Sequence, residues 1–403
     1  MELSDCGWFT HAAGVSVERG GKGACISLFE ASTGPGTFEI VLPTPPADGS
    51  AANHAGKRFE FGGHAARVGL DMLDADPSQV ANRGAKPGSV AISIIIPCFN
   101  GARYIPRLAS SLRPALNSST EVIFVDDGST DGSFEQFQQR MPEAILIKQQ
   151  NAGLGATRNR AVAAAQGEFL QLLDVDDTIE FGKLPRQLEF ARMHSLDIVY
   201  SDWRMVIVDG HLEEAEPWVH AKAEVEIIEA LLDGWWFPPN AAVIRKQAFM
   251  TIGGCDSTLG NTCEDFDLWI RMAIAGSRYG YLPGRFANYY RYKEVASMSR
   301  RDRREFFAGE ARIIRKAIAL LSTQHAATKR RRAAAARRLH HVARNFFLRD
   351  RSSYETLMEE IHELDPHFRP TGTLMYRLMS RLLGFESTEH LAKLKRTLIS
   401  RLR

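Results

Sequence analysis

Between residues 91 and 173 the chain alternates short, fully apolar runs with longer stretches of helical period. Residues 91–97 (AISIIIP), 122–125, 145–148 and 169–173 are too short for helices and read as strands buried on both faces. Residues 104–116, 133–140 and the Ala-rich 155–166 fit helices between them. The alternation predicts an α/β domain, a mostly parallel sheet with helices on both faces. In such sheets ligands collect outside the carboxyl ends of the strands. Those ends carry Phe99 and Asn100, Asp126 and Asp127, Asn151, and the cluster Asp174, Asp176 and Asp177. Close carboxylates repel, so a positive partner is expected at the cluster: magnesium or manganese, shared with phosphate oxygens. The plain alternative is a loop of helix caps, for which Asp is well suited.

Upstream the period changes. Runs at 24–29 and 37–42, separated by Gly/Pro turns, predict a small antiparallel β module over residues 1–72, suited to sugar binding, assembly or packing. Gly21-Lys22 lacks the Ser/Thr and the upstream glycine spacing of a P-loop. Residues 73–90 are polar, with Pro and Gly, and read as a linker to an α/β domain over 91–300. From 301 to 403 the chain reads as helices, at 304–321, 329–347, 354–363, 374–383 and 388–402.

Charge and cysteine usage narrow the class. A net charge of +2 hides an asymmetry: from Arg300 onward there are 24 Lys and Arg against 11 Asp and Glu, a net +13, leaving −11 for the rest. A basic helical tail suits an anionic membrane surface or is simply a solvated face, and no nucleic-acid motif accompanies it. No apolar run approaches the roughly 18 residues of a membrane span. The start lacks a basic-then-apolar leader pattern. Cys6, Cys25, Cys98, Cys255 and Cys263 are scattered without C-x-x-C spacing. Neither a zinc site nor a disulfide framework is indicated. A cytoplasmic protein is expected, with peripheral contact at the inner face of the membrane as the alternative to a solvated helical face.

The segments SIIIPCFNGARYIPRLASSL, EVIFVDDGSTDGS and NAGLGATRNRAVAAAQGEFLQLLDVDD resemble the nucleotide-sugar half of glycosyltransferase family 2. Gly253-Gly254-Cys255-Asp256 and residues 264–271 (EDFDLWIR) resemble its acceptor-side motif, so the likeness spans about residues 91–299. It implies the GT-A fold, a Rossmann-like sheet. It also implies an inverting transferase that moves a sugar from a nucleotide diphosphate donor, a UDP-sugar, to a glycan or lipid-linked hydroxyl, with Mn2+ or Mg2+.

By this resemblance Pro97, Phe99 and Asn100 line the nucleotide site, Asp127 accepts from the uracil N–H, and Asp126 assists or forms the turn. Arg158 and Asn159 would approach base or phosphate. Asp176 would bind the metal, with Asp174 on the ribose or sharing the ion. Asp265 would be the general base, taking the acceptor proton opposite the leaving diphosphate. Glu264 would position that loop, although an acidic first helical turn is also ordinary capping. Asp202, read as the end of a strand, would face the acceptor, and Trp235 and Trp236 would stack on sugar or pack in the core. Two departures stand out. Lys293 occupies the place of a histidine in the family's Arg-x-His segment, before Ser297-Met298-Ser299, and would reach the diphosphate itself. The QxxRW signature of processive synthases is absent, which favours transfer of one sugar per event. Two other readings are an impaired sugar-binding scaffold and a sugar nucleotidyltransferase; residues 98–101 (CFNG) lack the Gly-rich loop of the latter.

Overall fold

The computed structural model of the chain describes residues 27–30, 38–41 and 80–81, then 90–259, 263–294, 302–347, 349–370 and most of 374–391. Two strands near the amino terminus, β1 (Ser27–Glu30) and β2 (Phe38–Val41), pair antiparallel with Ser27 opposite Val41. They fall on the two runs expected to be β-like; the rest of the module expected over 1–72 lies outside the described residues. Within the stretch read as a linker, β3 (Val80–Ala81) pairs antiparallel with Ile147 and Leu146.

The main sheet contains β4 (Ile92–Cys98), β5 (Thr120–Asp126), β6 (Ile145–Lys148), β7 (Phe169–Leu172), β8 (Thr178–Ile179), β9 (Ile198–Asp209), β10 (Leu212–Ala215), β11 (Ala242–Arg245) and β12 (Tyr279–Tyr292). Its order is β3-β6-β5-β4-β7-β11-β9-β12-β8, with β10 hairpinned onto β9. The four strands read from apolar runs, β6-β5-β4-β7, are all parallel. Beyond β7 the pairing is mixed: β11 runs antiparallel to both neighbours and β12 runs parallel to β9.

Alternation of side chains across the pleat divides the core in two. Ile95, Ile123, Val125, Ile147 and Leu170 face one layer, and Ile94, Ile96, Phe124, Leu146 and Phe169 face the other. The second layer is closed by α1 (Ile105–Leu112), α2 (Ser133–Arg140) and α4 (Lys183–Met193). The first is closed by α3 (Leu154–Ala164), α5 (Ile227–Leu232), α6 (Lys246–Thr251) and α7 (Glu264–Ile274). The helix expected over 104–116 stops at Leu112 because Pro114 cannot continue it, and residues 113–115 form a 3-10 turn.

The carboxy-terminal helices are α8 (Arg303–Thr323), α9 (Lys329–Phe346), α10 (Arg351–Leu364) and α11 (Leu374–Leu383). Side chains of Asp302, Thr328 and Asp350 cap the first three by accepting backbone N–H groups. These helices share one core with α7: Phe266 and Trp269 belong to the same buried cluster as Phe307, Ile314 and Leu339. Most of the basic run in α9 is used internally. Arg331 and Arg337 pair with Glu226 and Asp233 beside α5, and Arg338 pairs with Glu310 of α8. No described helix is long and apolar enough to cross a membrane.

Candidate active site

The apolar end of β7, Leu172 and Leu173, is fully buried and delivers a tight turn in which the Asp177 N–H donates to the Asp174 carbonyl at 3.0 Å. Asp177 points inward and accepts from the Tyr290 N–H of β12 at 2.8 Å. Burial, then the charges of Asp176 and Asp174, push its carboxyl well above the usual range. Half-buried Asp176 is pushed up to about 7 by burial and by Asp174, with Arg103 opposing. Gly101 explains why the loops after β4 and β7 touch: a Cβ there would lie 2.8 Å from Val175, between Asp174 and Asp176. That contact brings the first turn after β4, with Arg103, to the acid cluster.

Arg158, in the first turn and a half of α3, is the hub. Its guanidinium is fully buried and donates to Asp174 and to Glu264, each at 2.6 Å. Burial alone disfavours its charge, but the two carboxylates more than offset that and hold it protonated. One bridge therefore ties the acid cluster after β7 to a residue 106 positions beyond Arg158. Asn159 makes a second tie: its amide donates to the Cys255 carbonyl and its oxygen accepts the Cys255 N–H, both at 2.8 Å. Both side chains, expected near base or phosphate, join the two motifs here.

Next to Glu264, half-buried Asp265 opens α7 after Cys263, whose φ of +60° is left-handed and strained for a non-glycine residue. Asp265 accepts from Trp236 Nε1 and from the Phe266 N–H, both at 2.8 Å. Burial and the adjacent Glu264 nevertheless push its carboxyl up to about 7, against Arg158 and these hydrogen bonds. The Tyr289 hydroxyl, raised chiefly by burial, also feels Asp177, Asp176 and Asp265 together, which puts these acids around one region. The motif after Asp265 is structural: Asp267 pairs with Arg271 at 2.6 Å, and Arg271 donates to the Ile252 and Gly254 carbonyls. Lys316 from α8 reaches both Asp256 (2.6 Å) and Asp267 (2.9 Å), so the carboxy-terminal helices hold the acceptor-side loop in place.

At the ends of β5 and β6 a depression of about 520 Å3 is lined by Asp126, Gly128, Ser129, Phe134, Lys148, Gln149 and Gln150. Asp126, expected to assist Asp127 or to form the turn, accepts the Ser129 N–H in the turn after β5. Asp127 accepts from Gln149 Nε2 and from the Ala152 and Gly153 N–H groups at 2.7–3.0 Å, which orders the loop before α3. Asp126 faces the depression, its carboxyl raised by burial. Pro97 is buried inside β4, and Asn100 staples two loops by bonding Ser129 and Thr130. Phe99, 54% exposed, is the apolar surface left at that strand end.

Of three other candidates, Asp202 departs from its expected strand-end position and Trp235 takes the core-packing alternative. Asp202 lies within β9 and not at its end, accepting from the Ala221 N–H and the Tyr281 hydroxyl. Trp235 is a packing residue, stacked edge-on to Tyr200 and Phe237 with its N–H on the Ala221 carbonyl. Lys293 is exposed and paired with Asp209 at 2.8 Å, outside the Asp174–Arg158–Glu264 chain. Ser297 to Ser299 lie outside the described residues. Among the described residues no three His, Cys, Asp or Glu side chains converge enough to enclose a metal ion unaided.

Residues 93–253 match the family model described as Glycosyl transferase family 2. Over 194 residues the chain is 31% identical to TuaG of Bacillus subtilis, a glycosyltransferase assigned to teichuronic acid biosynthesis, covering 47% of this chain and 75% of TuaG. The chain belongs to glycosyltransferase family 2. This family-2 transferase is also 34% identical over 166 residues to an uncharacterised glycosyltransferase of Nostoc sp., covering 39% of this chain and 51% of that protein. It is 34% identical over 190 residues to chondroitin synthase of Escherichia coli, covering 46% of this chain and 27% of the synthase. The matches thus span between a quarter and three-quarters of these relatives' lengths. S. aureus TarS shares the fold at a TM-score of 0.54 and 20% identity, over 75% of this chain and 55% of that one. A shorter TarS in complex with UDP-GlcNAc gives 0.52 and 18%, over 76% and 92%. The GT-A-like α/β sheet and the helical carboxy-terminal region are therefore as expected.

The sequence reading missed Arg103 and Lys316. Nothing in the local pattern marks them: Arg103 matters because its loop meets Val175, and Lys316 because α8 packs on α7.

Proposed function

We propose that this transferase moves one sugar at a time from a UDP-sugar to a hydroxyl of a glycan or lipid-linked acceptor, with inversion at the anomeric carbon. The observation that carries this reading is the Arg158 bridge, which sets the Asp174–Asp176 turn and the Glu264–Asp265 helix start on either side of one buried cation. The TarS complex with UDP-GlcNAc supports the donor class, and the relatives named for teichuronic acid and chondroitin support a polysaccharide-type product.

In this reading Phe99 and the depression beside Asp126 receive the nucleoside. The diphosphate lies toward Asp176 and Arg103. Asp176, pushed up first by burial and then by the charge of Asp174, has the chemistry of a lone protein ligand to Mn2+ or Mg2+, the remaining ligands coming from the diphosphate and water. Bound there, such an ion would offset the charge developing on the leaving diphosphate. Asp265 accepts the acceptor's proton as its oxygen attacks the anomeric carbon from the face opposite the diphosphate. A single base with no enzyme nucleophile gives one displacement, hence inversion. Trp236 orients Asp265 through its N–H.

Two results are expected. Asp176→Asn lowers Mn2+ affinity at saturating UDP by at least ~10-fold, the low end of what even a supporting partner of a ligand contributes. The EPR signal of free Mn2+ titrated with protein measures it, and unchanged uptake removes Asp176 as a ligand. The pH profile is the second. Because the Asp265 carboxyl is raised to about 7 and acts only when ionised, kcat/KM rises with pH up to about 7 and then levels. Below that it falls about tenfold per unit; a profile flat down to pH 5 rejects the assignment. A catalytically silent scaffold would bind UDP and release no sugar in the same assays.

A further inference from the structure

The helix α11 turns its apolar side outward. It leans on α9 through Tyr376, whose ring lies 4.9 Å from the Arg344 guanidinium, and Met379 and Ser380 of α11 are half-buried. On the other side Met375, Leu378 and Leu382 are 68%, 50% and 73% exposed. Their spacing of three and four residues makes a single stripe along the helix. A stripe of this kind ordinarily packs on the core, as the buried faces of α8, α9 and α10 already do. Exposed Arg377 and Arg381, one turn apart, flank the stripe, and the helix contains no acid.

From these observations we infer that α11 is a surface-lying membrane anchor, with the stripe in the acyl boundary of a bilayer and the two arginines on anionic phospholipid headgroups. Methionine and leucine supply the buried apolar face, and guanidinium groups reach up to phosphates while their stems stay in apolar surroundings. Charge decides among occupants. From Arg369 to Arg403 the sequence has eight Lys and Arg against Glu386 and Glu389, which suits a negatively charged surface. A second copy of the same basic helix would meet it with like charge. The anchor is α11 and not α9, whose arginines at 331, 337 and 338 are neutralised by Glu226, Asp233 and Glu310. The inference is independent of the chemistry assigned to the cleft.

The test is flotation of the full chain with vesicles of mixed phosphatidylglycerol and phosphatidylcholine, beside vesicles of phosphatidylcholine alone. Binding is expected only to the anionic vesicles, weakening as salt rises. The pair Leu378→Glu and Leu382→Glu, both solvent-facing, lowers it by ~10-fold or more, since attachment scales with the apolar area inserted. The pair Arg377→Gln and Arg381→Gln lowers it less and removes much of the salt dependence. Thermal unfolding and UDP binding stay unchanged in both. Equal binding by the Glu pair, or no preference for anionic vesicles, overturns the proposal. So does absence of vesicle binding together with a concentration-dependent dimer, by light scattering, that the Glu pair abolishes.

Discussion

Asp265→Asn is expected to bind UDP within about twofold of the parent and to lose turnover by ~10²–10⁴-fold, the range for removal of a positioned general base. The substitution is nearly isosteric; Trp236 Nε1 donates to one carboxylate oxygen and the Phe266 N–H to the other, so the single amide oxygen keeps one of these two bonds. What disappears is the group able to accept a proton near neutrality. Its neighbour gives the control. Glu264 lies against Arg158 and is buried, so it is committed to the bridge and not free to act as base. Steady-state UDP release with saturating donor and acceptor checks the prediction. Turnover within threefold of the parent would move the base elsewhere.

The second large effect is on stability. Arg158→Leu is expected to lower unfolding free energy by about 3–5 kcal/mol, the usual result of removing one partner from a buried ionic network. Two carboxylates, Glu264 nearly enclosed and Asp174 half-buried, would lose their common cation. Urea denaturation followed by tryptophan fluorescence measures the loss. Arg158→Lys is expected to recover little, because an ammonium cannot serve two carboxylates in the fork geometry of a guanidinium. Adding Glu264→Gln to Arg158→Leu should restore part of the deficit, since it removes the stranded charge. Simple additivity of the two losses would show that the bridge is not what binds the motifs energetically.

The parts of the fold that could be read from sequence are those where burial is total. β4 to β7 are enclosed on both faces, so their residues form unbroken apolar runs with recognisable ends. β9 and β12 are longer yet harder to read, because many of their residues are only half-buried and include Asp202, Arg204, Arg285 and tyrosines. That mixture made Asp202 look like a strand terminus. Chemistry followed the same division. The acids at the end of β7 were visible because a run of leucines stops at them. The partner of Arg158 was not, since nothing near residue 158 announces a carboxylate more than a hundred positions away. An arginine in the opening turns of the helix after Gly153 looks like a phosphate grip until its burial is known. Lys293 likewise looked useful in a motif, and the structure pairs it with Asp209 at the far end of β9.

The most direct test of the central claim, that the Asp174–Asp176 turn and the Glu264–Asp265 helix start, joined by Arg158, frame a nucleotide-sugar site completed by a cation, is calorimetric titration of the full chain with UDP, with Mn2+ and then with excess chelator. Saturable one-to-one binding that tightens with Mn2+ and weakens on chelation is predicted. UDP that fails to bind with the metal present, at protein concentrations where the chain is folded, contradicts the account.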